Sequence, residues 1–398
     1  MTRFNIPNAR QRRTLLAALM RWHRSHAREL PWRGERDPYR VWLREIMLQQ
    51  TTVAAVIPYL DRFLAQFPTV QALAAADEIE VLRLWEGLGY YTRARNLHRA
   101  AQTIAHDHGG RFPHAVEALQ ALPGIGRYTA GAIASFAFNV PAPIVEANTL
   151  RLHARLLGYD GDPRSTDGQR VVWTWAETLV RDSSEAQEWQ SLGRGAANVN
   201  QALMDLGATI CTPKAPRCDA CPLTRWCRAF QHGTQHELPR TAKRPEVTHV
   251  TEATVAVRHH GKYVLRRRQP GERWAGLWDF PRFAFDEGYP AKQILIDGVR
   301  EQAGLTIEPG PQIAEFVHGV TRYRITLRCF TATVRSGRLK RDADLAWVKT
   351  ARFAELPLSV TGRKLATLLC ESVFSRDPQG SALRVGAIDA VRSPEGRG

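Results

Sequence analysis

The sequence lacks any hydrophobic run close to the ~18 apolar residues that a membrane-spanning helix needs. It also lacks the marks of a signal peptide, because Arg21 and Arg24 follow the first short apolar run and no small-residue cleavage site comes after it. We therefore expect a cytoplasmic protein with reduced thiols that does not span a membrane. The first helix, over residues 10–29, is expected to be amphipathic.

Acidic residues are too few to balance the basic ones. The chain has 55 Lys and Arg against 39 Asp and Glu, which gives a net charge of +16. A surplus of this size predicts a polyanionic partner, with nucleic acid as the leading candidate and an anionic membrane surface as the alternative. At 398 residues, the chain is long enough for two or three domains.

Around residues 122–150 the sequence predicts a tight turn between two helices. Gly124 and Gly126 permit positive φ angles and a close backbone approach, and residues 127–138 read as a helix beginning at Arg127. The free N–H groups of such a helix start suit a phosphate oxygen. A glycine turn before a helix is more often a simple connection. Glu146 follows in an apolar run, so the segment can bind a backbone phosphate and place a carboxylate nearby.

A second carboxylate comes earlier in the chain. Glu45 lies within the predicted helix 39–51, on the same stripe as Val41 and Leu48. A lone helical glutamate is usually solvated, but these neighbours favour burial, which disfavours the charged form and suits a general acid. Gln49 and Gln50 at the helix end can bind base edges or phosphates, or can simply end the helix.

A glycine corner follows at residues 87–95. It carries Tyr90 and Tyr91, and Arg93 and Arg95 come after it on a new helix. This pattern suits a base-stacking wedge supported by phosphate contacts. A hydrophobic corner beside a solvated arginine face explains it equally well.

Four cysteines lie close together near residue 220. A metal site or a pair of disulfides explains such spacing, and a reducing compartment argues against disulfides. Zinc and a cubane iron–sulfur cluster both remain open at this point. Cys329 and Cys370 lie in distant apolar runs and are expected to be core thiols. The four residues are Cys211, Cys218, Cys221 and Cys227.

The hydrophobic period changes from helical to alternating near Val247. A hairpin is predicted around His260 and Gly261, followed by a helix at 290–303, strands at 312–317 and 323–335, and a helix at 359–372. The fold class is therefore multidomain, with an all-α part followed by an α+β part. We predict domains at 1–230 and 247–375, joined by a linker at 231–246, and a disordered tail at 376–398.

Four segments, in this order, resemble the adenine DNA glycosylases of the MutY family, which are helix-hairpin-helix enzymes related to endonuclease III. The resemblance covers about residues 10–230 and implies a [4Fe–4S] cluster on the four cysteines. It also implies a monomer that binds double-stranded DNA and removes adenine mispaired with 8-oxoguanine or guanine. The segments are WLREIMLQQT, LWEGLGYYTRARNLH, LPGIGRYTAGAI and the cysteine loop.

The resemblance assigns roles to individual residues. Glu45 would protonate the departing adenine, and Glu146 would stabilise the oxocarbenium ion or bond to it transiently. Tyr128 would lie beside the anomeric carbon, and Asn148 would orient the catalytic groups. The remaining matches are an adenine pocket of Trp32, Arg33, Leu48 and Gln201, duplex-inserted groups at Gln49 and Tyr90, and phosphate contacts at Gly124, Gly126 and Arg127.

The C-terminal part resembles the Nudix-like domain of the same glycosylases. Its helix keeps Glu301 but has Gly298 and Gln302 where a working Nudix hydrolase has glutamates, so we expect lesion recognition rather than hydrolysis. Two other positions depart from the family pattern. The chain has Glu-Ala-Asn at 146–148 where the family has Asp-Gly-Asn, and Val-Thr-Arg at 320–322 where the family has Phe-Ser-His.

Three alternatives remain at this point. A related glycosylase that removes thymine opposite guanine would share every motif. A bifunctional lyase needs a lysine where this chain has Tyr128, which cannot form a Schiff base. A DNA-damage binder without catalysis would keep the fold and tolerate the change at Glu146.

Overall fold

The computed structural model describes residues 7–185, 195–241, 246–285, 288–320 and 322–374. Contacts divide the chain into two units. The first contains the described residues up to 75 and those of 96–243, and the second contains residues 76–95 together with those from 244 onward. Thr321 and the predicted tail lie outside the described residues. Within the described ranges, no helix is both long and apolar enough to cross a bilayer.

The described residues of 7–185 and 195–241 form helices joined by loops, as the sequence predicts, and the second part adds a sheet, so the predicted fold class is confirmed. A single 3-10 turn at Thr224–Trp226 lies in the cysteine loop. The helices are α1 (Ala9–His26), α2 (Pro38–Leu48), α3 (Val53–Gln66), α4 (Val70–Ala75), α5 (Glu78–Leu84), α6 (Thr92–Asp107), α7 (Val116–Gln120), α8 (Arg127–Phe138), α9 (Ala147–Leu157), α10 (Thr166–Glu185), α11 (Gly195–Thr209) and α12 (Arg228–Gln231).

Helix α1 ends earlier than predicted. A capping box at Asn8 opens it, and the chain leaves the helix at Ala27 (φ −58°, ψ 132°) rather than at residue 29. Arg28 is therefore in the following loop, where its Nε donates to Oδ1 of Asp205 at 2.7 Å. A long-range ion pair thus uses the residue that helical periodicity had placed in α1.

Small residues let the site-bearing helices of the first unit pack closely. A Cβ on Gly131 of α8 would lie 2.3 Å from the carbonyl oxygen of Pro143, and one on Gly207 of α11 would lie 3.0 Å from the carbonyl oxygen of Asn148. Larger side chains at either position would push α8 or α11 away from the segment around residues 143–148. The apolar core beneath includes Leu15, Leu19 and Leu203, all at most 1% exposed.

The second unit contains a seven-stranded sheet with the order β3-β2-β1-β6-β5, in which β4 pairs with β1 and β7 with β2. Strands β1 and β6 are parallel, and the other pairs are antiparallel. The hairpin predicted around His260 is present. The elements are β1 (Thr248–His259), β2 (Lys262–Arg267), β3 (Trp278–Asp279), β4 (Arg282–Ala284), α13 (Ala291–Ala303), β5 (Leu305–Val320), β6 (Tyr323–Gly337), β7 (Leu345–Lys349), a 3-10 turn (Thr350–Glu355) and α14 (Val360–Phe374).

Successive side chains of β1 point to opposite faces of this sheet, and both faces are buried. Val255 and Val257 pack with Leu295 of α13, whereas Ala256 packs with Leu365 of α14. Helix α13 is the one that would carry the Nudix acidic residues. A Cβ on its Gly298 would lie 2.5 Å from the Phe283 ring, so a glutamate cannot occupy this position without moving that ring.

Candidate active site

Glu45 is held from two sides in the interior of the first unit. Asp37 accepts a hydrogen bond from the backbone N–H of Tyr39 and so starts α2, which buries Glu45 to 2% exposure. Its Oε2 accepts a hydrogen bond from the Tyr128 hydroxyl at 2.5 Å, and its Oε1 accepts one from Nε of Arg44 at 3.1 Å. The predicted burial of Glu45 is therefore present, together with a buried cation that the sequence analysis did not anticipate.

The Tyr128 hydroxyl is influenced by the charges of both candidate carboxylates. Burial raises the pKa of this hydroxyl well above 10, and the charges of Glu45 and then Glu146 raise it further. The hydroxyl therefore stays protonated at neutral pH and acts as a hydrogen-bond donor to Glu45.

Glu146 caps the N-terminus of α9. Its Oε1 accepts from the backbone N–H of Thr149 at 3.0 Å, and its Oε2 accepts from the backbone N–H and the Nδ2 of Asn148 at 2.8 and 3.2 Å. Arg151 completes the arrangement by donating to Oδ1 of Asn148 at 2.9 Å and to the carbonyl of Cys211 at 2.8 Å. A continuous set of hydrogen bonds thus connects Glu146 to the first cysteine of the loop.

The four residues of the predicted adenine pocket lie around one cavity, together with Glu45. Nη1 of Arg33 donates to Oε1 of Gln201 at 3.0 Å, although these residues are 168 positions apart. The cavity has both apolar and polar side chains in its walls, as is usual for sites that bind small ligands. The cavity is lined by Arg28, Leu30, Trp32, Arg33, Arg44, Glu45, Leu48, Val53, Phe136, Gln201, Met204 and Asp205.

Asp205 is the main residue of this cavity that sequence reasoning missed. Its carboxylate is 1% exposed and accepts from Arg28, from Nη2 of Arg33 at 2.7 Å and from His23 at 3.2 Å. Burial alone would raise its pKa, but the hydrogen bonds from His23 and Arg28 and the charge of Arg33 lower it to about 2. The sequence did offer one signal for Asp205, because an acidic residue on a mostly apolar helix in a chain rich in arginine indicates a buried ion pair.

The two predicted duplex-inserted residues lie in different units. Gln49 follows α2, and its Nε2 donates to the Thr129 hydroxyl at 3.3 Å in the first unit. Tyr90 belongs to the second unit, where it is 51% exposed. Its backbone has a φ of +48°, a value that non-glycine residues rarely adopt.

The helix-hairpin-helix turn uses the conformational freedom of one of its two glycines. Gly124 has a positive φ of +73°, and a Cβ there would lie 2.5 Å from Cβ of Asn96. Gly126 has a φ of −82° and open space around it, so it does not use the positive φ that glycine permits. It precedes α8 in an extended conformation, which leaves the first N–H groups of that helix accessible. The predicted phosphate-binding side chain, Arg127, pairs with Glu177 and lies 4.0 Å from the Trp173 ring centre.

The four cysteines of the loop line one cavity as free thiols beside a buried arginine. Arg155 donates from Nη1 to Sγ of Cys211 at 3.3 Å. Burial raises the pKa of Cys221 to about 11 and that of Cys227 to about 12, so these thiols ionise at neutral pH only beside a strongly cationic centre. In the described ranges, no three His, Cys, Asp or Glu side chains form a group that could hold a single metal ion. The four thiols line one void instead, which fits a centre with several metal ions, such as a cluster, better than a single ion.

Comparisons with known proteins agree with this architecture. A family model described as "HhH-GPD superfamily base excision DNA repair protein" matches residues 43–177, and a NUDIX domain model matches residues 253–368. Adenine DNA glycosylase from Mus musculus is 38% identical over 295 residues, which are 72% of this chain and 54% of that protein.

Two further relatives are covered over more of their length. Adenine DNA glycosylase from Rattus norvegicus is 31% identical over 87% of this chain and 76% of its own length. The enzyme of that name from Buchnera aphidicola (strain Sg) is 33% identical over 67% of this chain and 74% of its own length. With this coverage and a matching helix-hairpin-helix model, the chain belongs to the adenine DNA glycosylases of the MutY family.

Proposed function

We propose that the chain is a monofunctional DNA glycosylase that hydrolyses the N-glycosidic bond of adenine mispaired with 8-oxoguanine or guanine. What supports this most is that Glu45, a buried carboxyl held by Tyr128 and Arg44, lines the same cavity as the four residues that match the family's adenine pocket. A base turned out of the duplex would enter this cavity and stack against its apolar walls.

In this proposal Glu45 is the general acid. The N-glycosidic bond of a neutral adenine breaks slowly, and protonation of the ring makes adenine a better leaving group. Tyr128 orients the carboxyl through its hydrogen bond to Oε2. Arg33 and Gln201 present a polar edge to the base, while Trp32 and Leu48 exclude water from it.

Glu146 is the second carboxylate of this mechanism. Its charge stabilises the cationic sugar as the bond to adenine breaks, and water then completes the hydrolysis. Asn148 orients Glu146 through its Nδ2, and Arg151 orients Asn148. Tyr128 occupies the position at which a lyase has its lysine, so strand cleavage through a Schiff base is not expected.

Residues Cys211, Cys218, Cys221 and Cys227 would hold a [4Fe–4S] cluster. When bound, the cluster supplies a structural cross-link between the four thiolates of the loop. Arg155 stabilises the loop by donating hydrogen bonds to the carbonyls of Thr212 and Pro213 at 2.7 and 3.0 Å. The partner is double-stranded DNA, bound by a monomer through the N–H groups that follow Gly124 and Gly126 and through surplus arginines.

Single-turnover release of adenine from a duplex with one 8-oxoguanine·adenine pair tests the proposal. Wild-type protein should release adenine without borohydride-trappable adducts. Glu45→Gln should stop release and keep duplex affinity, because it removes the proton donor and little of the binding surface. Excision by Glu45→Gln within about tenfold of the wild-type rate would exclude Glu45 as the acid. Thymine release from a guanine·thymine duplex would instead identify the alternative target.

A further inference from the structure

Tyr90 is presented on a turn whose backbone is constrained. Gly87, Gly89 and Tyr90 have φ angles of +100°, +71° and +48°. A tyrosine keeps such a conformation only when its surroundings determine it. Within the turn, Nε1 of Trp85 donates to the carbonyl of Gly89 at 3.0 Å, and the Arg93 guanidinium lies 5.5 Å from the Tyr90 ring centre.

The turn is attached to helix α14 of the same unit through Glu86. Nε of Arg363 donates to Oε1 of Glu86 at 2.6 Å, and Nη2 donates to Oε2 at 2.8 Å. The backbone N–H of Leu358 donates to Oε2 at 3.3 Å. Paired parallel hydrogen bonds between a guanidinium and a carboxylate define both distance and orientation. The side chains of Glu86 and Arg363 are only 16% and 29% exposed, which protects the pair from solvent screening.

The Arg363 guanidinium is itself fixed by hydrogen bonds to backbone carbonyls. Its Nη1 donates to the carbonyl of Phe353 at 2.6 Å, and its Nη2 also donates to the carbonyl of Leu356 at 2.8 Å. Phe353 lies within the 3-10 turn, and Leu356 directly follows that turn on the way to α14. The guanidinium therefore joins three separate parts of the second unit around Glu86.

A second attachment lies on the other side of the turn. Arg95 donates to the carbonyl of Ala275 and lies 3.4 Å from a carboxylate oxygen of Glu78. A Cβ on Gly276 (φ +78°) would lie 2.4 Å from Nη2 of Arg95, so a larger residue could not be placed there without moving the arginine. Both ends of the segment that carries Tyr90 are thus bonded to residues of the C-terminal sequence.

We propose that Glu86 and Arg363 are positioning residues that make the C-terminal domain determine the orientation of Tyr90. As far as it concerns DNA, the inference rests on the proposed function, in which Tyr90 enters the duplex near the base opposite adenine. The residues that recognise that base and the tyrosine that enters the duplex then belong to the same unit. A change in α14, far along the chain from residue 90, alters the discrimination between mispaired and paired duplexes.

Hydrogen exchange in the free, full-length protein tests the positioning without using activity. Arg363→Gln should accelerate exchange of the amides at 87–91 by about tenfold or more, because the turn opens locally once its anchor is lost. The matched control is Arg352→Gln, which removes a 66% exposed arginine paired with Glu355 three residues away. Exchange at 87–91 that is the same in Arg363→Gln and in wild type would overturn the proposal.

A double variant keeps the test decisive if Arg363→Gln loses more than its contact with Glu86. If Arg363 acts on the turn through Glu86, Glu86→Gln alone should also accelerate exchange at 87–91, and Glu86→Gln/Arg363→Gln should exchange within about threefold of the faster single variant. Accelerations that multiply in the double variant would contradict a direct pairing.

Duplex affinity provides the functional part of the test. The preference of Arg363→Gln for an 8-oxoguanine·adenine duplex over a fully paired one should fall by about tenfold, and Glu86→Gln should lower it to a similar extent. An unchanged preference would overturn the role in discrimination. If the wild-type protein failed to release adenine, the proposed function would fail, whereas the exchange measurements would still decide whether Arg363 positions the turn.

Discussion

Oε2 of Glu146 accepts hydrogen bonds from both the backbone N–H and the side-chain Nδ2 of Asn148, at 2.8 and 3.2 Å. One carboxylate oxygen thus starts helix α9 and orients an amide side chain. The carboxylate that would face the sugar is therefore also part of the local structure. Substitution at residue 146 should affect catalysis and stability to different extents, which allows the two roles to be measured separately.

Glu146→Gln should reduce the single-turnover rate of adenine release by about 10²–10³, because the charge facing the cationic sugar is lost while the shape is kept. Mispair binding should persist, and the weaker cap should cost about 1 kcal/mol of unfolding free energy.

Glu146→Asp is the matched comparison. A rate at or above wild type would mean that the backbone suits the shorter side chain, and a rate lower by about tenfold or more would mean that it is adapted to glutamate. Release by Glu146→Gln at the wild-type rate would remove Glu146 from the mechanism.

Arg44→Met should destabilise the first unit by about 3–5 kcal/mol, because it leaves the carboxylate of Glu45 buried without its cationic partner. Urea unfolding followed by tryptophan fluorescence measures this loss. The double variant Arg44→Met/Glu45→Gln removes both charges and should regain most of the stability. Arg170→Gln, at a 76% exposed position, serves as the control. A fully stable Arg44→Met variant would show that the ion pair contributes nothing to folding.

The unfolding free energy should depend on pH through Asp205. Its folded pKa of about 2 lies below the ordinary value of 3.8, so its contribution is present above pH 3.8 and is lost as the pH falls towards 2. The difference corresponds to about 2 kcal/mol. Wild type and Asp205→Asn should therefore differ most at neutral pH and converge in acid. Asp167→Asn, with a 78% exposed side chain, should follow the wild-type curve, and parallel curves for wild type and Asp205→Asn would refute the assignment.

Cys218→Ser should lose bound iron and the brown visible absorbance of the protein, and it should weaken duplex binding because the loop loses a cross-link. Cys370→Ser, outside the loop, is the control. Metal analysis of anaerobically purified wild-type protein provides the direct check. Stoichiometric zinc without iron would contradict the cluster and favour a structural zinc site.

Residues that share one helix were predictable from the sequence, whereas pairs between distant segments were not. The apolar stripe around Glu45 predicted its burial, and alternation predicted the hairpin at His260. Arg44 as a partner of Glu45 could not be predicted, since adjacent residues on a helix do not face each other. Asp205 binds Arg28 and Arg33 across more than 170 positions, and periodicity carries no information on such pairs. The conformation of Gly126 was not predictable either, because a glycine permits a positive φ but does not require one.

The grouping of residues 76–95 with the C-terminal sequence affects the order in which the protein folds. During synthesis these residues leave the ribosome before the strands and helix that bind them, and residues 96–243 come between. The anchor of Glu86 on Arg363 closes only after residue 363 has been made, and closure of so long a loop slows folding. Until then, Tyr90 and its turn lack the contacts that α14 supplies, and their conformation is settled only at this late step.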